Sequence, residues 1–406
     1  MRTMHAWPAP KIPSLPGRNR LPSLFDTASR RLVTVGSQQG ASMYVCGITP
    51  YDATHLGHAA TYVAFDLLVR TWHDAGVTVR YAQNVTDVDD PLLERARQVD
   101  QPWEAIAARE TAKFRADMAA LRVVPPDRYV GVVESLPQII GLIEVLRSRG
   151  LTYELDGDQY FATHAIPDFG AVSHLGRDDM IALFAARGGD PDRAGKKDPL
   201  DALLWRGKRP EEPSWPAPFG RGRPGWHVEC AAIALTHLPL PLDVQGGGAD
   251  LVFPHHDMTA AQAEAATGRR FARAYVHTGL VAYQGEKMSK SLGNLVFVSD
   301  LCAAGADPMA VRLALLDHHY RTEWEWTPRL LDEATDRLAE WRAAVRRPRG
   351  APGDGLLAAV RDRLADDLDA PGAIALIDEW TTQDGDDPDA PTLVAAMADA
   401  LLGVHL

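Results

Sequence analysis

Met43-Tyr44-Val45-Cys46-Gly47, then Tyr51-Asp52-Ala53-Thr54-His55-Leu56-Gly57-His58, then a comb of Ala60, Val63, Ala64, Leu67 and Leu68: this stretch decides the fold. The first four residues are a short apolar run closed by a glycine, the pattern of a buried strand. From Gly57 the apolar residues recur at three- and four-residue steps, as on one face of a helix. Gly76 is a natural stop for that helix, and Val77, Val79 and Tyr81 then alternate with Thr78 and Arg80 as in a strand. Strand, loop, helix, strand is the opening of an α/β doubly wound parallel sheet, which binds nucleotides where strand C-termini face a helix N-terminus. His55 and His58 in that loop can donate hydrogen bonds to triphosphate oxygens, and Gly57 lets a ligand come close to the backbone.

Outward from this core, residues 1–41 are rich in proline and read as a partly ordered lead-in. Residues 42–120 make the first half of the nucleotide-binding domain, ending in a helical pattern over 104–121. Residues 121–220, dense in Pro, Gly and Asp, read as an insertion. The second half follows at 221–300, with Leu242-Asp243-Val244-Gln245 as a strand feeding Gly246-Gly247-Gly248. Residues 301–406 read as a helical domain, with one helix marked by Leu330, Ala334, Leu338 and Trp341 and another by Leu357, Val360 and Leu364.

Composition fits a globular chain of 406 residues, 46% hydrophobic and 24% charged. The formal charge of −12 comes without any run of Lys and Arg. A protein that wraps nucleic acid usually carries a basic face, so no nucleic-acid partner is expected. No stretch approaches the ~20 apolar residues of a membrane span, and the N-terminus lacks the apolar segment of a signal peptide. Three cysteines, an odd number, point to a reducing compartment. A cytoplasmic monomer is expected.

A second segment carries phosphate chemistry: Gly285-Glu286-Lys287-Met288-Ser289-Lys290-Ser291-Leu292-Gly293. Lys287 and Lys290 can neutralise charge building on an α-phosphate and a departing pyrophosphate, and the flanking glycines permit a loop that closes over ATP. The two segments together resemble the HIGH and KMSKS signatures of the class I aminoacyl-tRNA synthetases. Cys46-Gly47, Asn84-Val85-Thr86-Asp87-Val88-Asp89-Asp90, Gly225-Trp226-His227-Val228-Glu229-Cys230 and Phe253-Pro254-His255-His256 resemble the cysteinyl-tRNA synthetase family in particular. The likeness runs from about residue 24 to about residue 375.

That resemblance implies a Rossmann-like catalytic domain, an inserted connective domain and a C-terminal helical domain. It implies that His55, His58, Lys287 and Lys290 are catalytic, acting on ATP with Mg2+. It implies that Gly47, Ile48 and Thr49 line the cysteinyl moiety, that Asn84, Val85 and Thr86 hold its amino or carboxyl end, and that Trp226 walls the pocket. Gly248, Ala249 and Asp250 would face the ribose, Val281 the adenine, and Gly57, Thr61 and Ser289 the rest of the nucleotide.

Cys46 and Cys230 lie 230 − 46 = 184 residues apart, and His255 follows 255 − 230 = 25 later. Spacing alone reads these thiols as buried and inert. The resemblance implies instead that Cys46, Cys230 and His255 hold one Zn2+. A zinc with three protein ligands keeps an open position, which the thiolate of free cysteine fills and the hydroxyl of serine does not. The family's further glutamate ligand, four residues after the histidine, is Thr259 here, so three protein ligands are expected.

Two acceptors suit an activated cysteine: tRNA, and the amine of glucosaminyl-inositol. The second reaction belongs to the mycothiol-pathway ligases, which resemble shortened cysteinyl synthetases. Arg187-Gly188-Gly189-Asp190-Pro191 and Gly47-Ile48-Thr49-Pro50-Tyr51 resemble the ligases, although Ala186 stands where they carry a glutamate, and no anticodon-reading module is expected beyond the helical region. The small molecules L-cysteine, ATP and glucosaminyl-inositol are therefore the expected substrates. A synthetase with a reduced C-terminus, or a non-catalytic zinc or tRNA-binding relative, is the alternative. Asp250 and His55 are candidates for the base of the second step.

Overall fold

The computed structural model describes residues 4–51, 54–288 and 293–406. A hairpin of β1 (Ser23–Asp26) and β2 (Arg31–Thr34) precedes β3 (Ala41–Val45), α1 (Leu56–Asp74), β4 (Val79–Val85), α2 (Asp90–Val99), α3 (Trp103–Ala120), β5 (Arg128–Gly131) and α4 (Leu136–Ser148). Next come β6 (Thr152–Leu155), β7 (Asp158–Phe161), α5 (Arg177–Ala186), β8 (Ala202–Gly207) and β9 (Gly222–Pro224). The chain continues through α6 (Trp226–His237), β10 (Leu242–Gly248), α7 (Asp257–Thr267), β11 (Ala272–Thr278), β12 (Val281–Tyr283) and β13 (Glu286–Lys287). It ends with α8 (Val298–Ala303), α9 (Pro308–Leu316), β14 (Trp324–Glu325), α10 (Pro328–Ala344), α11 (Asp354–Ala365), α12 (Ala370–Thr382) and α13 (Ala390–Met397).

Five strands form one sheet in the order β11-β10-β3-β4-β5, and every pairing in it is parallel. Side chains alternate across it. Met43, Val45, Val244 and Val276 enter one apolar cluster with α1 and the C-terminal helices; Tyr44, Ala82 and Tyr275 enter the other with α4, α6 and α7. The chain leaves β3 towards β4 on one side and returns through β10 on the other. The C-terminal ends of β3 and β10 therefore flank the point where strand order reverses, which is where such sheets bind ligands.

The structure differs from the sequence reading in two places. The lead-in carries the β1–β2 hairpin, and Trp7 is buried edge-on against Phe114 and Tyr129, so its prolines do not keep it off the core. Within 121–220, β5 pairs with β4 as the edge of the parallel sheet. The separate antiparallel sheet β6-β7-β8-β9 begins only at Thr152. β5 is four residues long and ends in glycine, too short for its period to show. No helix among the described residues is long and apolar enough to cross a membrane.

α1 ties the site to the rest of the molecule. Its middle carries Asp66, which pairs with Arg70 (2.7 Å) and Arg312 and accepts from the Val124 N–H (2.7 Å). Arg70 also donates to the carbonyls of Asp399 (2.8 Å) and Arg122 (2.6 Å), and Arg312 to those of Leu402 (2.6 Å) and Leu121 (2.7 Å). These three fully buried side chains thus join α1 to α9, to the loop after α3 and to the end of the chain.

Candidate functional site

A cavity of about 770 Å³ opens at the reversal point. His55 caps α1, its Nδ1 accepting from the Gly57 N–H (3.1 Å), and its ring lies 3.8 Å from that of His58. Both rings line the cavity at a helix N-terminus, where the positive end of the helix dipole favours phosphate. Thr61 reaches from α1 to Thr278 at the end of β11 (2.9 Å). The segment after the second motif returns to the first: Leu56 donates to the Val296 carbonyl (2.9 Å), and His55 bridges to Phe297. Of that second motif, Met288 lines the cavity beside Val281 and Lys287 lies in β13. Ser289, Lys290, Ser291 and Leu292 fall outside the described residues.

The expected metal set comes together. Cys46 Sγ, Cys230 Sγ and an imidazole nitrogen of His255 lie within 4.8 Å of one another, all buried. Cys46 follows β3, Cys230 sits in the second turn of α6, and His255 follows the turn after β10. The donor set suits zinc: two sulfurs and one imidazole, whose Nε2 is buried without a hydrogen bond among the described residues. Burial resists ionisation of both thiols. At Cys230 the hydrogen bond to Cys46 and the nearby His255 outweigh it and hold the thiol well below its usual range. At Cys46 burial and Cys230 together push the thiol up. Thr259 is buried and its hydroxyl makes no hydrogen bond among the described residues, and no carboxylate of those residues joins the cluster.

Two histidines to which the sequence reading gave no role back this cluster. His227 Nδ1 lies 3.0 Å from His255 Nδ1, which leaves His255 Nε2 for a metal. His256 Nε2 lies 3.3 Å from Cys46 Sγ, its Nδ1 contacts His277 Nε2 (2.7 Å), and His277 Nδ1 contacts the Thr27 hydroxyl (2.7 Å). Burial holds all three rings neutral, His277 down to about 3. The juxtaposition of His255 and His256 was the available signal. Partners of this kind orient metal ligands and are worth about 10–100-fold in affinity. His256→Ala is expected to weaken metal binding by that factor in a chelator competition; an unaltered affinity would remove His256 from the site.

The remaining expected residues divide. Gly47, Ile48, Thr49, Trp226, Gly248 and Asp250 line the cavity, and Trp226 stacks on His255 with ring centroids 4.2 Å apart. Asn84, Val85 and Thr86 do not line it. They are buried behind the wall, Val85 in the apolar cluster. The Asn84 amide is spent on neighbours: Oδ1 accepts from the Gly47 N–H (2.8 Å) and the Tyr44 hydroxyl (3.0 Å), and Nδ2 donates to Thr86 (3.0 Å). A Cβ on Gly47 would sit 1.6 Å from the Asn84 carbonyl oxygen, so only glycine lets β3 and β4 close here. These residues shape the loop after Cys46. Ala249 lies beside the cavity-lining pair Gly248 and Asp250.

The family described as tRNA synthetases class I (C) catalytic domain matches residues 32–336. Among curated proteins, the L-cysteine:1D-myo-inositol 2-amino-2-deoxy-alpha-D-glucopyranoside ligase of Thermobispora bispora is 61% identical, covering 99% of this chain and 100% of that one. Its namesake from Kribbella flavida is 58% identical over the same shares of the two chains. Among solved structures, Mycobacterium tuberculosis methionyl-tRNA synthetase with methionyl-adenylate superposes at a TM-score of 0.60, with 17% identity and 89% of each chain covered. That last likeness concerns the fold alone. The chain belongs to the class I (C) tRNA synthetase catalytic-domain family, within the group of cysteine:glucosaminyl-inositol ligases.

Proposed function

We infer that this chain is an ATP-dependent, AMP-forming ligase that joins L-cysteine to the amine of glucosaminyl-inositol. The observation that carries this is the full-length identity to ligases of that name, and the buried cysteine–histidine cluster beside a histidine pair at a helix N-terminus supports it. In the first step the cysteine carboxylate attacks the α-phosphate of MgATP and pyrophosphate leaves. His55 and His58 orient the phosphates; Lys287 and Lys290 stabilise the charge that develops. Cys46, Cys230 and His255 would hold Zn2+, which supplies a soft, open coordination position that accepts a thiolate in preference to a hydroxyl. Rejection of serine then needs no editing site. In the second step the sugar amine attacks the adenylate carbonyl and AMP departs.

Purified protein given cysteine, ATP and either tRNA or glucosaminyl-inositol tests the reading directly. Ligation of the aminosugar is expected, and charging of tRNA instead would overturn it. Lys290→Ala is expected to lose ~10²–10³-fold in adenylate formation, like the loss of one preorganised donor. Pyrophosphate exchange at the wild-type rate would remove Lys290 from the chemistry.

A further inference from the structure

The cavity extends beyond the residues that the cysteine and the nucleotide call for. One side is built by the antiparallel sheet β6–β9 and the loop after α5; Tyr160, Asp190, Arg193 and Arg209 line it, and Asp89 lines the same cavity. Asp158, 1% exposed, anchors this side. Its carboxylate accepts from Arg193 Nη1 (2.5 Å), from Arg209 Nη2 (2.9 and 3.0 Å) and from the Gly207 N–H (2.7 Å). Arg193 donates to the Tyr160 hydroxyl (2.7 Å), which donates in turn to Asp190. Lys196, its side chain 2% exposed, holds Asp190 from behind (3.0 Å), while Asp190 keeps 39% of its own side chain exposed. Donors and acceptors thus alternate along one rigid face.

The loop is locked in register with the rest of the site. Arg187 donates to the carbonyls of Asp250 (2.5 Å) and Phe253, two residues before His255. Gly188 has φ +87°, and a Cβ on Gly189 would meet the Phe184 ring at 2.5 Å. Asp89 caps α2 by accepting from the Asp90 N–H (2.8 Å), while Asp90 is engaged by Arg223 of β9 and Arg206 of β8, which hold this end of α2 against the same sheet.

A face of alternating guanidinium, phenol and carboxylate suits neighbouring hydroxyls, each of which donates and accepts. Its two guanidiniums are already engaged by the Asp158 carboxylate, so they are presented as fixed donors and not as a bare cationic cradle for a phosphate chain. We propose that this face is the acceptor subsite: Asp190 and Arg193 hold vicinal hydroxyls of a polyol, and Asp89 faces the amine that attacks the adenylate. This rests on the ligase reading above. Burial raises the Asp89 carboxyl to about 6, so it is ionised at neutral pH and can offset an ammonium.

The test compares wild type, Asp190→Asn and Tyr160→Phe in two assays: cysteine-dependent ATP–pyrophosphate exchange, which needs no acceptor, and ligation of glucosaminyl-inositol or of glucosamine alone. Both variants are expected to raise KM for glucosaminyl-inositol at least tenfold while exchange changes less than twofold. Asp190→Asn should also erase the preference of wild type for the inositol-bearing acceptor. An unchanged KM in both variants overturns the subsite and leaves the ligase reading standing. Exchange that falls in parallel with ligation overturns it too, because the network is then only structural. A wild type that exchanges but ligates neither sugar sinks the ligase reading and the subsite with it.

Discussion

Cys230→Ser loses its metal and, with it, more than about 100-fold of cysteine-dependent ATP–pyrophosphate exchange. Loss of a partner outside the ligand shell alone costs about 10–100-fold in affinity, and here one of two sulfurs in a three-residue set is removed. A hydroxyl is a harder, poorer donor than a thiolate. It would also sit buried beside Cys46, in the place of the thiol that Cys46 and His255 hold below its usual range. Metal analysis of the purified variant gives a readout independent of catalysis. Cys302→Ser is the control: Cys302 packs at the edge of the other apolar cluster, so metal content and exchange stay at wild-type values. Full metal occupancy in Cys230→Ser, or its loss in Cys302→Ser, would show that the ligand set is wrong.

Asp66→Ala destabilises the chain by about 3–5 kcal/mol, the cost of removing one partner from a buried ionic group. The large value follows from what remains: Arg70 and Arg312, both fully buried, facing each other without their shared carboxylate. Burial lowers Arg312 to about 10, still well above neutral pH. Burial also pulls the Asp66 carboxyl upward, but Arg70 and Arg312 outweigh it and hold it below the usual value. A carboxyl depressed on folding stabilises the folded state above its unfolded pKa of about 3.9. That contribution disappears as pH falls through the lower folded value. Urea unfolding at pH 7 reads the effect as a shift of midpoint. A shift equivalent to under about 1 kcal/mol would mean the group is not the clamp described here. Because α1 carries His55 and His58 at its start, a loosened clamp also disturbs the phosphate-binding end.

How much of this was legible beforehand depends on the range of each signal. α1 and the strands on either side were readable because their periods are local and long. The two phosphate motifs were readable because each is contiguous in the sequence. The metal cluster was not readable from spacing, since its ligands lie on three separate segments that only the sheet brings together; likeness to a known family supplied it. Asn84 to Thr86 were named for the same reason; their side chains are buried, and Asn84 holds the loop that begins at Gly47. β5 and the β1–β2 hairpin escaped because four-residue strands carry too few alternations. Of the Asp158–Arg193–Tyr160–Asp190 face, only Asp190 fell in a stretch that the sequence singled out; the rest escaped because the members are drawn from β7 and the loop after α5, which no local pattern joins.

The spread of the metal ligands has a consequence for biosynthesis. From Cys46 to His255 is 255 − 46 = 209 residues, with the whole β6–β9 sheet translated in between. A chain still emerging from the ribosome owns one sulfur for 184 residues before it owns the second, and the imidazole follows 25 residues later. The full set of two sulfurs and one imidazole can exist only after the return strand β10 has been made. Completion of the site is therefore a closing step of synthesis.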